Sequence, residues 1–191
     1  MPSSIIPRAA AIPPWESALA SNTTGGNNTA SGAFALLNNT GDRNTASGSD
    51  ALHTNSTGAD NTAFGSAALV FNATGQRNTA SGSGALFNKT SGNDNTAIGL
   101  DAGLSNTMGS SNTFIGSDAD ANAGVYTNGT ALGNGAVLTA SNSIVLGNRS
   151  ISRIFANVAT ITGISDRRRK KDITALDPDL GLDFIERLRP V

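Results

Sequence analysis

Between Asn28 and Leu146 the apolar residues arrive singly and at fixed intervals. Ala30, Ala46, Ala63, Ala80 and Ala97 each stand two places after an Asn, and the pairs Ala35-Leu36, Ala51-Leu52, Ala68-Leu69 and Ala85-Leu86 come a few residues later. Asn, Thr, Ser and Gly fill the spaces between. A Gly and two or more Asn or Thr in every unit penalise helix, so the pattern predicts short strands joined by turns.

The schedule is a repeat. Glycines fall at Gly32, Gly48, Gly65, Gly82, Gly99, Gly116, Gly133 and Gly147, at intervals of 16, 17, 17, 17, 17, 17 and 14 residues. The consensus is N-T-A-x-G-x-x-A-L-x-x-N-x-T-G-x-x, as in Asn61-Thr62-Ala63-Phe64-Gly65 and Asn95-Thr96-Ala97-Ile98-Gly99. Such a unit is too short for a helical hairpin and suits two short strands with turns, so one unit is one coil of a solenoid. Asn, Gly and Thr are expected at the corners, where tight turns need positive φ and side-chain hydrogen bonds. The predicted fold is all-β: a parallel β-solenoid (β-roll) of about eight 17-residue coils, with a rise of about 4.8 Å per coil and a length of roughly 40 Å.

In such a stack the alanines form one column and Leu36, Leu52, Leu69 and Leu86 another, and the recurrent Ala implies a narrow interior. Adjacent strand residues face opposite sides. The residue before each marker glycine, Ser31, Ser47, Phe64, Ser81, Ile98, Ile115, Leu132 or Leu146, therefore points away from the alanine column. Both faces carry apolar residues: one packs inside the coil, and the other asks for a neighbouring chain. Oligomerisation is expected.

Composition sharpens this picture. The 191 residues are 14% charged and 5% aromatic, with 21 Asn, 20 Thr and no Cys. Large apolar side chains are too scarce for a conventional core, and a disulfide framework, a thiolate zinc site and a cysteine nucleophile are excluded. No run of about 18 apolar residues offers a membrane span. Pro2, Pro7, Pro13 and Pro14 break up the opening residues, so no secretory signal is read, synthesis is expected in the cytoplasm, and 1–26 reads as an extended N-terminal arm. Residues 27–148 are the solenoid and 149–164, rich in β-branched residues, a strand-forming neck. Nearly half of the charged residues lie between Asp166 and Val191, which marks a further boundary.

The repeats resemble the head repeats of trimeric autotransporter adhesins and of related phage tail-fibre proteins, whose short N-T-A-I-G-type units form a parallel β-roll. The resemblance covers about residues 28–148, at a longer repeat spacing than is usual in those adhesins, and it implies a homotrimer. A second resemblance is carried by Ser165-Asp166-Arg167-Arg168-Arg169-Lys170-Lys171-Asp172-Ile173 and by Leu182 through Val191. These residues resemble the opening of the endosialidase-type intramolecular chaperone, with Arg169 where that family usually has Leu. In that family the domain trimerises a fibre and then cuts itself off between the Ser and the Asp. Residues 165–191 then read as the truncated start of such a chaperone. Carried over by position, Ser165 and Lys170 are the catalytic pair, and Ser165-Asp166 is the scissile bond.

The residues themselves agree in part. Ser165 offers a hydroxyl, and Lys170 can serve as general base if its proton is lost. Arg167, Arg168, Arg169 and Lys171 crowd it with like charge, which lowers its pKa. No oxyanion donor is identified. Asp177 as N-cap, Pro178 at the first position and an apolar face of Leu180, Phe184 and Leu188 predict a short C-terminal helix.

Other features read more plainly. The basic run at Arg167–Lys171 is a solvated turn rather than a nucleic-acid site, His53 is a lone surface histidine, and no cofactor or metal is expected. The sequons at Asn38, Asn88 and elsewhere are by-products of turn composition. The leading reading is a structural, receptor-facing segment of a homotrimeric phage tail fibre or spike, facing a host cell-surface receptor or glycan, located on the virion tail or another extracellular surface. The alternatives are a bacterial surface adhesin or extracellular filament protein and, more distantly, an ice-binding solenoid built on the Thr column. No motif places the paired acids of a glycan-cleaving enzyme, so any enzymatic activity is a single self-cleavage.

Overall fold

The computed structural model describes residues 17–153. The strands in chain order are β1 (Thr29–Ser31), β2 (Asn38–Asn39), β3 (Thr45–Ser47), β4 (Thr54–Asn55), β5 (Thr62–Phe64), β6 (Thr79–Ser81), β7 (Thr96–Ile98), β8 (Thr113–Ile115), β9 (Asp120–Ala121), β10 (Thr130–Leu132), β11 (Val137–Leu138) and β12 (Ile144–Leu146). Every Thr-Ala-x tripeptide of the repeat is a strand, and the glycine after it ends the strand. At Gly65 φ is +127°, and a Cβ there would lie 2.6 Å from the carbonyl carbon of Gly82 in the next coil. Only glycine permits both the conformation and the approach.

Eight strands form one parallel sheet in the order β1-β3-β5-β6-β7-β8-β10-β12. The pairing is in register, so Thr62 aligns with Thr79, Ala63 with Ala80, and Phe64 with Ser81. The solenoid is therefore as predicted: seven turns separate the first strand of this sheet from the last. Coils 1 to 6 are numbered here from Asn28, Asn44, Asn61, Asn78, Asn95 and Asn112, coil 7 from Gly129 and coil 8 from Ser143. Residues 17–26, placed by the sequence in an extended arm, include a partial coil ahead of coil 1. Leu19 N donates to Ala35 O and Ser21 N to Leu37 O, each at 3.0 Å. The C-terminal helix and the neck beyond Arg153 lie outside the described residues. Among the described residues no helix is long and apolar enough to cross a membrane.

The interior is as narrow as its alanines imply. Ala46, Ala63, Ala80 and Ala97 are buried in one column and Leu36, Leu52, Leu69 and Leu86 in another. These leucines have φ between +51° and +54°, a left-handed conformation. It costs a non-glycine residue roughly 1–2 kcal/mol, and complete burial of a leucine returns about 1.5–3 kcal/mol. Burial wins. A second strand accompanies the first only as β2, β4, β9 and β11; in coils 1 and 2 it begins two residues past the left-handed leucine, and coils 3 and 4 have none after theirs. In coils 6 and 7 Asp120 and Val137 take that place, and the chain stays extended through β9 and β11, which pair with each other.

One size change is matched by another. Coil 5 has Gly103 at the leucine position, with φ +67°, and coil 6 has Phe114 at the alanine position. A Cβ on Gly103 would sit 2.9 Å from Phe114 Cδ2 and 2.8 Å from Leu86 Cδ2. The buried phenyl ring occupies the space that the missing leucine leaves.

The asparagines differ from expectation. Those that open each repeat are not corner residues with positive φ: that conformation belongs to the preceding residue, at Arg43, Asp60, Arg77 and Asp94. Asn44, Asn61, Asn78, Asn95 and Asn112 are buried. Each side-chain oxygen accepts from the backbone amide one coil on: Asn61 N to Asn44 Oδ1 at 3.0 Å, Asn78 N to Asn61 Oδ1 at 3.0 Å, Asn95 N to Asn78 Oδ1 at 3.0 Å. Each Nδ2 closes its own coil by donating to a carbonyl fourteen residues ahead, as Asn61 does to Gly75 O at 2.8 Å. A second ladder runs through Asn22, Asn39, Asn55 and Asn72, with Asn55 Nδ2 to Asn39 Oδ1 at 2.6 Å and Asn72 Nδ2 to Asn55 Oδ1 at 2.8 Å. Buried polar groups are tolerable because they are paired.

Candidate functional site

The outer face of the eight-stranded sheet is built by the repeat itself. In each Thr-Ala-x strand Ala points inward, so Thr and the variable residue share the outside. Parallel register then sets every variable residue directly above its counterpart. Phe64 is 49% exposed, Ile98 45%, Ile115 36%, Leu132 43% and Leu146 48%. Ile98 aligns with Ile115, Ile115 with Leu132, and Leu132 with Leu146, so coils 5 to 8 carry an unbroken aliphatic stripe. Leu100 at one side of it and Ile144 at the other are also exposed. Coils 1, 2 and 4 carry Ser31, Ser47 and Ser81 at the same position, so the apolar character is concentrated in the C-terminal half.

Contiguous apolar surface of this kind, held on a rigid sheet, marks an interaction site. Single exposed leucines need no explanation, but four in one column on adjacent rungs do. The prediction that this position points away from the alanine column is met at every strand of the sheet. Thr62, Thr96, Thr113 and Thr130 form the adjoining polar column, half-buried.

A charged column runs along another edge. Arg43 donates to Asp60 through Nε at 2.6 Å and through a terminal nitrogen at 2.9 Å, and Arg77 pairs with Asp94 in the same way at 2.7 and 2.9 Å. The hydrogen bond from each arginine holds the Asp60 and Asp94 carboxyls below the usual carboxylate range. Exposed pairs add little to stability, and their geometric effect is to favour one stacking register.

Other predicted features are placed as follows. His53 is half-buried, with Nδ1 3.2 Å from Thr54 Oγ1 and its ring centroid 6.3 Å from that of Phe34. Among the described residues no three His, Asp or Glu side chains are grouped to hold a metal ion. Ser165, Asp166 and Lys170, the predicted cleavage residues, lie outside the described residues.

Sequence reasoning missed the two asparagine ladders as interior features. Their signal was present: Asn recurs at two fixed positions in most coils, a regularity stricter than turns demand.

No family model matches the chain, and no curated protein matches it. Among solved structures it is similar to the collagen-binding domain of the Yersinia adhesin YadA, with a TM-score of 0.47 and 20% identity, the match covering 85% of this chain and 73% of that one.

Proposed function

We propose that this chain is a structural, receptor-facing segment of a homotrimeric extracellular fibre, of the phage tail-fibre or spike kind. The single observation that carries the reading is the stripe Ile98-Ile115-Leu132-Leu146 on the outer face of a rigid parallel sheet. Three copies set side by side and in parallel bring their stripes together and remove them from water. The serine-rich rungs of coils 1, 2 and 4 and the polar turns stay at the surface for a receptor. Tail-fibre origin, and release of a C-terminal chaperone by cleavage of Ser165-Asp166, rest on the sequence resemblance at Ser165–Ile173. There Ser165 acts as nucleophile and Lys170 as its base.

Light scattering coupled to gel filtration tests the assembly. The expected mass is three times that of one chain, and Ile115→Glu with Leu132→Glu yields monomers that keep the β-type circular dichroism of the parent. A monomeric parent overturns the fibre reading. Cleavage is tested on a denaturing gel with protein expressed from the natural gene. A Ser165→Ala form still cut at the junction removes Ser165 from the mechanism.

A further inference from the structure

Lys89 occupies the position in coil 4 that Asn39, Asn55 and Asn72 fill in coils 1 to 3 and Asn106 fills in coil 5. It is fully buried. The exchange breaks the second ladder on both sides. Below it, Asn72 Oδ1 is a buried acceptor with no partner among the described residues, although Asn55 Oδ1 in the coil before is met by an amide. Above it, Asn106 Nδ2 turns across to Asn95 Oδ1 of the first ladder, at 3.1 Å.

The longer lysine side chain carries Nζ past the site of the missing amide, to the carbonyl of Gly109 in coil 5. That carbonyl already accepts from Asn95 Nδ2 at 3.0 Å. Among the described residues no carboxylate is ion-paired with the ammonium. The charged groups of the surrounding coils are Arg77 in coil 3, Asp94 in coil 4 and Asp101 in coil 5. Arg77 and Asp94 are paired with each other at the surface, and none of the three is hydrogen-bonded or ion-paired to Lys89. A buried ammonium with one shared acceptor, beside an orphaned amide oxygen, is a strained rung in an otherwise satisfied stack.

We propose that Lys89 makes coil 4 a pH-dependent weak point, where the solenoid opens locally when the lysine is charged and closes when it is neutral. Burial pushes the Lys89 ammonium down from 10.5 to about 7 in the closed form. An open coil returns it to water and to its ordinary value. The open form therefore binds the proton more tightly, and lowering the pH favours opening. The opening constant rises by up to about tenfold per unit as pH falls from about 10 towards 7, and levels off below that. Lys89 is the only lysine before Lys170, so no other lysine amine of the solenoid titrates in this window.

Native-state hydrogen exchange on the full chain between pH 7 and 9.5, corrected for intrinsic exchange rates, tests this. The reporting amides are Ala73, which bonds Thr90 O across coils 3 and 4, and Leu86 and Thr90, which bond Ala102 O and Thr107 O across coils 4 and 5. Leu36, bonded to Ala51 O, and Thr113, bonded to Gly129 O, are references in distant coils. In the parent, the reporters lose protection as pH falls, and the references do not. Lys89→Met, which keeps the bulk without the charge, and Lys89→Asn, which restores the ladder residue, both flatten the response, and Lys89→Asn raises protection at pH 7. A flat parent profile, an equal slope at the reference amides, or a slope that survives in Lys89→Met overturns the proposal.

Discussion

Removing one side chain from the first asparagine ladder should cost far more than an ordinary polar substitution. Asn61 makes four side-chain bonds. Its Nδ2 donates to Asn44 Oδ1 at 3.1 Å and to Gly75 O at 2.8 Å, and its Oδ1 accepts from Asn78 N at 3.0 Å and Asn78 Nδ2 at 3.2 Å. In Asn61→Ala three of the four partners keep another bond: Asn44 Oδ1 to Asn61 N, Gly75 O to Asn72 Nδ2, and Asn78 Nδ2 to Gly92 O. The buried amide of Asn78 is left with none. Three lost bonds at a net of about 0.5–1.5 kcal/mol each, with one orphaned donor at about 1–3 kcal/mol, place the destabilisation at about 2.5–7.5 kcal/mol. Urea unfolding followed by circular dichroism measures it as a lower midpoint at unchanged slope. Asn61→Asp is a sharper comparison. Its second oxygen faces two acceptors, so the variant is as unstable as the alanine form at pH 7. It recovers in part as pH falls towards ~4, when the buried carboxyl takes up a proton and can donate. A loss below about 1 kcal/mol for Asn61→Ala would show that water replaces the ladder at little cost, and would refute the view that these asparagines are core residues.

Two further outcomes are expected. Phe114→Ala empties the space beside Gly103 and costs about 3–5 kcal/mol; adding Gly103→Leu restores the leucine column and recovers most of that loss, so a double-mutant cycle by denaturant unfolding reads strong coupling, and additive losses would contradict the size exchange. Gly65→Ala puts a side chain at φ +127° and against the Gly82 carbonyl. The conformation alone costs about 1–3 kcal/mol, and thermal unfolding should show a larger drop than at Gly26, where φ is not positive and a Cβ meets only Asp42 Oδ1, at 3.7 Å.

Much of the architecture was legible along the chain. A fixed spacing of Gly, Ala and Leu on short Thr-Ala-x segments leaves stacking in register as the only way for so few apolar atoms to be buried together. The outward position of Phe64, Ile98, Ile115, Leu132 and Leu146 follows from the two-residue period of a strand. These properties depend on sequence separation alone, because in a solenoid each coil contacts chiefly its neighbours. The cleavage residues Ser165, Asp166 and Lys170 rest on sequence resemblance, and the fold of residues 17–153 has no bearing on them.

What tertiary structure decided is the inside of the coil. Asn is at home in a turn and in a buried ladder alike, and only the closing of each coil against the next shows that Asn44, Asn61, Asn78 and Asn95 face inward. The left-handed backbone of Leu36, Leu52, Leu69 and Leu86 is likewise a result of burial overriding local preference. The same holds for the partnership of Gly103 with Phe114 and for the isolation of Lys89, where a residue's meaning is set by what stands in the same column one coil away.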